Sequence, residues 1–279
     1  MTPLGSPTVE PLGEHVGARV HGADAAMLEH DEGFADWCLE ALEAHGALVF
    51  RGLHLDDAAQ VAFSRRLGAP EIKGRGEHPE IMVVSLDPAV TRMADYLRGT
   101  VYWHIDGAQD DIPSKATVLN AIAVATEGGE TEFASTYAAY EMLDPAEQAR
   151  ALTTRVVHSL EATQRLTHPD PTPEEVAQWR RVPDKVHPLV WTHRSGRRSL
   201  VIGATASHVE GWDRADGRAL LDSLSERATA ADRVYRHEWQ VGDLVIWDNR
   251  GVMHRVCPYA ATSAREMHRT TIAGDEPIR

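Results

Sequence analysis

A mostly β chain with flanking helices is the predicted fold class: a jelly-roll, cupin-like core with a helical insertion. Three observations lead to it. Short runs rich in Val, Ile, Leu and aromatic residues recur from Ala47 to Ile272 with turn residues between them. The closing third reads as extended, with strands over Val234–Gln240, Asp243–Trp247, Met253–Val256 and Arg265–Ile272. Helical periodicity falls mostly early and in inserted segments, as expected for helices laid over a β scaffold.

In chain order, residues 1–13 are rich in Pro and Gly and read as a loose arm or edge strand. Phe34–His45 is a helix with Phe34, Trp37, Cys38, Ala41 and Leu42 on one stripe and Gly46 as its stop. The strand Ala47–Phe50 follows, then a helix capped by Asp56, carrying Val61, Ala62 and Leu67 and ended by Gly68. Ile81–Leu86 reads as a buried strand and Tyr102–Asp106 as an extended one. Between them the pattern fails from Asp87 to Gly99, which marks a lid-like loop. Thr117–Val124 is a strand, and a Gly128-Gly129 turn leads into another at Phe133. Helices are expected over Tyr137–Leu143 and from Asp144-Pro145 onward. Residues 158–186, with four prolines, form an insertion over the scaffold with a short helix near Glu174–Arg180. Strands over Val186–Thr192 and Ser199–Ile202 precede a helix at Arg214–Ala228 that buries Ala219, Leu220 and Leu224.

With 279 residues, 43% hydrophobic and 25% charged, the chain can bury a sizeable core. Its net charge of −14 excludes a basic nucleic-acid surface and an anionic membrane as partner. Cys38 and Cys257 are the only cysteines, so a disulfide framework or thiolate zinc site is excluded. The N-terminus lacks the pattern of a secretory signal, and no apolar run reaches membrane-spanning length. The expectation is a cytoplasmic homo-oligomer acting on a small molecule.

Candidate chemistry begins at His104-Ile105-Asp106. On a strand, residues i and i+2 share a face, so an imidazole and a carboxylate can reach one point. His254 lies just beyond the strand that ends in Trp247-Asp248-Asn249-Arg250. Two histidines and one carboxylate can hold one face of iron(II) and leave the opposite face open for dioxygen and a co-substrate. A structural zinc site would instead be closed. Arg265 and Arg269, four apart, would share a strand face; buried guanidiniums require anions.

The order H-x-D, G-G-E-T-x-F, G-D-x-x-x-W-D-N-R-x-x-x-H and R-x-M-H-R-x-T resembles the TauD/TfdA family. These are the taurine and 2,4-dichlorophenoxyacetate dioxygenases, dependent on iron(II) and 2-oxoglutarate. Gly17–Asp24 and Gly46–Gly52 are similar to the family too, so the likeness spans about residues 8 to 275, and residues 1–279 are expected to form one domain. The resemblance implies a double-stranded β-helix, with His104, Asp106 and His254 as iron ligands. It implies that Arg265 binds the distal carboxylate of 2-oxoglutarate with help from Thr131, and that Trp247 lines that pocket. Arg269 matches the arginine that grips the taurine sulfonate. The other taurine-holding residues have no match here; Arg98-Gly99-Thr100 precedes the iron motif. The expected reaction hydroxylates a small anionic substrate, with heteroatom cleavage where the carbon bears one, and releases succinate and carbon dioxide. A metal-dependent isomerase or lyase, or a non-catalytic organic-acid binder on the same barrel, is the alternative. His268 would face away from the arginines, and the remaining histidines read as surface or structural.

Overall fold

Alternation along the central strands decides the architecture. In Ala47–Phe50, Leu48 and Phe50 join one apolar cluster while Ala47 and Val49 join another. Leu244–Asp248 repeats the division, Leu244 and Ile246 against Val245 and Trp247. Such strands are buried on both faces. In the computed structural model, which describes residues 7–279, they lie inside a seven-stranded sheet. Its order is Thr8–Pro11, Ala18–His21, Ala47–Phe50, Leu244–Asp248, Ala116–Ala123, Glu266–Ile272 and Met82–Val84.

One face packs on the helices Ala25–His30, Glu32–His45 and Asp57–Leu67 through Leu28, Phe34 and Phe63. Asp24, Asp31 and Asp56 cap them, each accepting the backbone N–H three residues on. The other face packs on a three-stranded sheet of Val234–His237, Thr131–Ser135 and Val252–Val256 through Phe133, Tyr235 and Val252. The candidate site sits at one end of the space between the two sheets. A further layer joins the helix Arg214–Ala228 to the strands Arg155–His158, Arg198–Leu200 and Ala206–Val209, with Leu221, Val156, Leu200 and Val209 buried between them.

A β-rich chain with flanking helices is therefore observed, with several boundaries revised. Residues 8–11 of the expected arm form an edge strand, while the expectation for 1–6 lies outside the described residues. Ile81–Leu86 shortens to the half-buried edge strand Met82–Val84, which has a partner on one side only. Val186–Thr192 is two strands, Lys185–Pro188 and Val190–Thr192, in different sheets. The insertion is narrower than 158–186: His158 pairs with Lys185 across strands that close the excursion, and two helices, Leu160–Thr167 and Pro173–Trp179, fill it. The first of these was not foreseen, nor were the helix Ala25–His30 and the strands Arg155–His158 and Ala206–Val209.

Several of the histidines outside the candidate site are core groups. His158 is buried with Nδ1 2.9 Å from Thr205 Oγ1, and His193 lies between Trp191 and Tyr137 with Nε2 2.8 Å from Ser199 Oγ. Burial pushes their pKa values down to about 3 and about 4. In the unfolded chain each imidazole binds a proton below about 6.5. Their contribution to stability is therefore complete above pH 6.5 and is lost as the pH falls toward 4. The denaturant midpoint should drop between pH 7.5 and 5, and His158→Gln should make the drop shallower. A flat profile over this window would contradict the assignment.

Candidate active site

Two backbone hydrogen bonds create the site. His104 N–H donates to His254 O at 3.1 Å and His254 N–H to His104 O at 3.0 Å, an isolated antiparallel bridge. It sets the two imidazoles side by side, ring centroids 4.2 Å apart. Tyr102–Asp106 is not the expected strand, because His104 alone finds a pairing partner and the chain turns at Asp106-Gly107, where Gly107 has φ 75°. The turn still returns the carboxylate to the imidazoles. Asp106 Oδ1 is 4.0 Å from His104 Nε2, and Oδ2 is 3.7 Å from His254 Nε2. One donor atom from each residue can be chosen so that all lie within 4.8 Å of one another.

The protonation states suit a metal. His104 Nδ1 is 2.7 Å from Tyr102 O; a carbonyl only accepts, so Nδ1 carries the proton and Nε2 keeps its lone pair. Burial lowers the pKa of both His104 and His254, so both are neutral at pH 7. Burial raises the Asp106 pKa, but Arg269 and the two imidazoles outweigh it and hold the carboxyl well below the usual range. Two neutral imidazoles and a carboxylate form a donor set that fits iron(II).

Beside this cluster a cavity is lined by Thr131, Trp247, Tyr259, Arg265 and Arg269. Arg265 lies one residue before the strand Glu266–Ile272 and is 3% exposed. Its Nε donates to Gly129 O at 3.1 Å and its guanidinium lies 4.9 Å from the Tyr259 ring. Burial lowers its pKa, the mark of a cation that gains from an anionic partner. Gly129 has φ 78°, and a Cβ there would come within 2.9 Å of Arg265 Cδ, so the second glycine of the G-G-E-T motif makes room for the arginine. Thr131 Oγ1 accepts from Trp239 Nε1–H at 2.9 Å, which leaves its own proton to donate elsewhere. Trp247 packs against the His254 ring, centroids 4.6 Å apart.

Arg269 reaches the same cavity, although a register shift at Glu266/Met267 interrupts the even count from Arg265. Its Nη2 donates to Asp106 Oδ2 at 2.7 Å, a pairing with a candidate ligand that sequence spacing did not indicate. Its Nε is buried without a protein acceptor. His268 faces the other way and bonds to Asp57 through Nδ1 at 2.5 Å. Thr117 and Asn249 were missed. Thr117 Oγ1 donates to Asp106 Oδ2 at 2.9 Å, and Asn249 Nδ2 to Thr117 Oγ1 at 3.0 Å. Thr117 had looked like any strand residue, and the one available signal was Asn249's place inside the W-D-N-R motif.

Residues 8–271 match the model of the taurine catabolism dioxygenase TauD, TfdA family. The chain belongs to this family. Over 253 residues it is 38% identical to the alpha-ketoglutarate-dependent 2,4-dichlorophenoxyacetate dioxygenase of Cupriavidus pinatubonensis, covering 85% of this chain and 88% of that protein. It is 30% identical to an alpha-ketoglutarate-dependent sulfate ester dioxygenase of Pseudomonas putida, covering 97% and 90%. Among solved structures, AAD-2 in complex with Mn(II) and N-oxalylglycine superposes with a TM-score of 0.83 at 32% identity, covering 98% of this chain and 100% of that one. As a TauD/TfdA-family member the chain is a dioxygenase dependent on iron(II) and 2-oxoglutarate, and the expected cofactor set stands. No helix among the described residues is long and apolar enough to cross a membrane.

Replacing His104, Asp106 or His254 by Ala should abolish iron(II) uptake while leaving the circular dichroism spectrum close to that of the parent, because the core is built by the sheets. Calorimetric titration under anaerobic conditions checks it. Retained parental affinity in any of the three removes that residue from the metal site.

Proposed function

We propose that this TauD/TfdA-family dioxygenase oxidises a small organic anion with an apolar body, at iron(II) held by His104, Asp106 and His254. The observation that carries the reading is that this cluster adjoins a cavity with two arginines, Arg265 buried and Arg269 largely so. Iron(II) held by these three residues would supply the redox chemistry, in which 2-oxoglutarate and dioxygen give succinate and carbon dioxide as a substrate C–H bond is oxidised. The chain's residues bind, orient and exclude water. The Arg265 guanidinium clamps the distal carboxylate of 2-oxoglutarate, and Thr131 donates its hydroxyl proton to the same group. Trp247 and Leu119 keep that end dry. Family membership favours this reading over an isomerase or a non-catalytic binder.

A second cavity takes the substrate. It meets the first at His104, Leu97, Thr100 and Arg269, and its walls include Met82, Met93, Tyr96, Ile105, Leu160 and Val182. Those side chains suit an apolar body, and the spare Nε–H of Arg269 beside the metal cluster suits an anionic group. The segments Asp87–Gly99 and 159–184 supply part of the wall and act as the lid. A chlorinated phenoxyacetate and sulfate esters, after which two of the relatives are named, share this build of apolar body and anionic head. Hydroxylation next to a heteroatom would collapse to a carbonyl compound and release the heteroatom group. Two sheets packed face to face around the site support a double-stranded β-helix as the scaffold.

Anaerobic addition of iron(II) and 2-oxoglutarate should give a visible charge-transfer band, and coupled turnover should consume dioxygen and 2-oxoglutarate in equal amounts. Arg265→Ala should weaken 2-oxoglutarate binding by roughly 2–5 kcal/mol, the range for removing one partner of a buried charge pair. Unchanged binding would sink the role given to that residue. For the substrate, the measurement is the preference for an arylalkyl carboxylate over its primary amide. The parent should favour the acid, and Arg269→Met should lose the preference. Because it is a ratio, it is insensitive to any loss of metal caused by the Asp106 contact. A variant that still prefers the acid would rule out Arg269 as the anion site.

A further inference from the structure

Two donors converge on one oxygen of Asp106. Thr117 Oγ1 and Arg269 Nη2 both donate to Oδ2, at 2.9 and 2.7 Å. A carboxylate oxygen has two lone pairs for such bonds, so Oδ2 is filled, whereas Oδ1 receives no side-chain donor among the described residues. The Thr117 hydroxyl has a single proton, and Asn249 decides where it goes. With Asn249 Nδ2 donating to Thr117 Oγ1 at 3.0 Å, the threonine oxygen is occupied as an acceptor and its proton is free for Asp106. Turning the amide over would draw that proton toward Asn249 Oδ1 and leave two oxygens facing each other at the Asp106 contact. Only the order Asn249 to Thr117 to Asp106 gives every contact a proton.

Both residues stand on rigid backbone. Thr117 is paired on one side with Trp247 and on the other with Thr271, inside the seven-stranded sheet. Asn249 sits in the turn after Leu244–Asp248, its backbone N–H donating to Lys115 O at 3.1 Å. Each is 0% exposed. A buried three-residue chain ending on one carboxylate oxygen is the arrangement expected of outer groups that orient a ligand.

We propose that Thr117, aimed by Asn249, is a positioning residue that reserves Asp106 Oδ2 and so presents Asp106 to the metal through Oδ1 alone. The inference rests on the reading of His104, Asp106 and His254 as the iron site. A carboxylate bound through both oxygens would take up a coordination position that the co-substrates need. Thr117 and Arg269 hold the second oxygen back. Thr117 separates this role from substrate binding, because Arg269 also lines the substrate cavity and Thr117 does not line either cavity.

The test is anaerobic titration of the full chain with Mn(II), and with iron(II) plus 2-oxoglutarate while the charge-transfer band is recorded. Thr117→Val should weaken Mn(II) binding roughly ten- to a hundredfold, the range for losing such an outer partner, and should move the band. Thr117→Ser, which keeps the donor, should stay close to the parent on both readouts. Asn249→Ala should weaken binding in the parent but add nothing further in the Thr117→Val background. A Thr117→Val protein with parental affinity and band but a lower melting temperature overturns the proposal, since that is a packing role. Losses that multiply in the double variant overturn it too. If Thr117→Val does not fold, Asn249→Ala against Thr117→Ser decides, and parental affinity in Asn249→Ala overturns it. A parent that binds no Mn(II) overturns the metal site itself, and this proposal with it; a parent that binds while all variants match it overturns the positioning role alone.

Discussion

The pair of backbone hydrogen bonds between His104 and His254 is the constraint on which the site depends. The segment around His104 has no other strand pairing among the described residues, yet it must deliver one candidate ligand to another that lies 150 positions away. Each bond contributes only about 0.5–1.5 kcal/mol net, so the bridge must be braced from its flanks. Ala204 N–H donates to Trp103 O at 2.8 Å. Gly203, at φ 110°, lets the chain pass there; a Cβ would meet Trp103 O at 2.8 Å and His104 Cα at 3.2 Å. On the other strand, Cys257 N–H donates to Glu130 O at 2.7 Å just past His254. The bridge is thus held by a glycine and by neighbouring backbone, and side chains at the centre are spared for chemistry.

Charge follows the same economy of parts. Arg255 lines the co-substrate cavity but is already matched by Glu132 at 2.7 Å. The remaining charges mostly withdrawn from solvent are one carboxylate, Asp106, against two guanidiniums, the largely buried Arg269 and the buried Arg265. The cavity therefore carries an excess of positive charge before any divalent cation enters. Desolvated cations without partners are costly. A dianionic co-substrate would relieve that cost, and so would the anionic substrate proposed above.

Much of this was legible in the sequence, for identifiable reasons. The uninterrupted apolar runs of Ala47–Phe50 and Leu244–Trp247 mark short strands that turn out to be buried on both faces, and Asp56 with Gly68 brackets a helix by its own cap chemistry. The candidate ligands could be picked out because H-x-D places two donors close in sequence and His254 follows a recognisable strand-turn, and the fold brings the three together. What stayed hidden depends on contacts between distant segments. Arg155–His158 and Ala206–Val209 are short strands whose pairing partners are not adjacent in sequence, so no hairpin signal announces them. The Asp106 turn cannot be read from H-x-D, since the same spacing suits a strand. Thr117 carries no mark in the sequence of its proton's destination; that follows from Asn249, 132 positions along the chain, just past the end of the strand paired beside it.

Arg269 shows how one side chain can serve two cavities. Its Nη2 bond holds the guanidinium against Asp106, and planarity limits where the other two nitrogens can lie. Its Nε, buried without a protein acceptor, is consequently held beside the metal cluster at the wall shared by the two cavities. A flexible lysine ammonium could meet the same charge requirement, but it would not hold a second donor in a set direction. The contact that first looks like a competitor for substrate, the ion pair with Asp106, would therefore orient the group proposed to receive it. On this argument the ligand carboxylate has three tasks. It would bind the metal through one oxygen, accepts a hydrogen bond from Thr117 through the other, and anchors the guanidinium proposed to receive the substrate's anionic end.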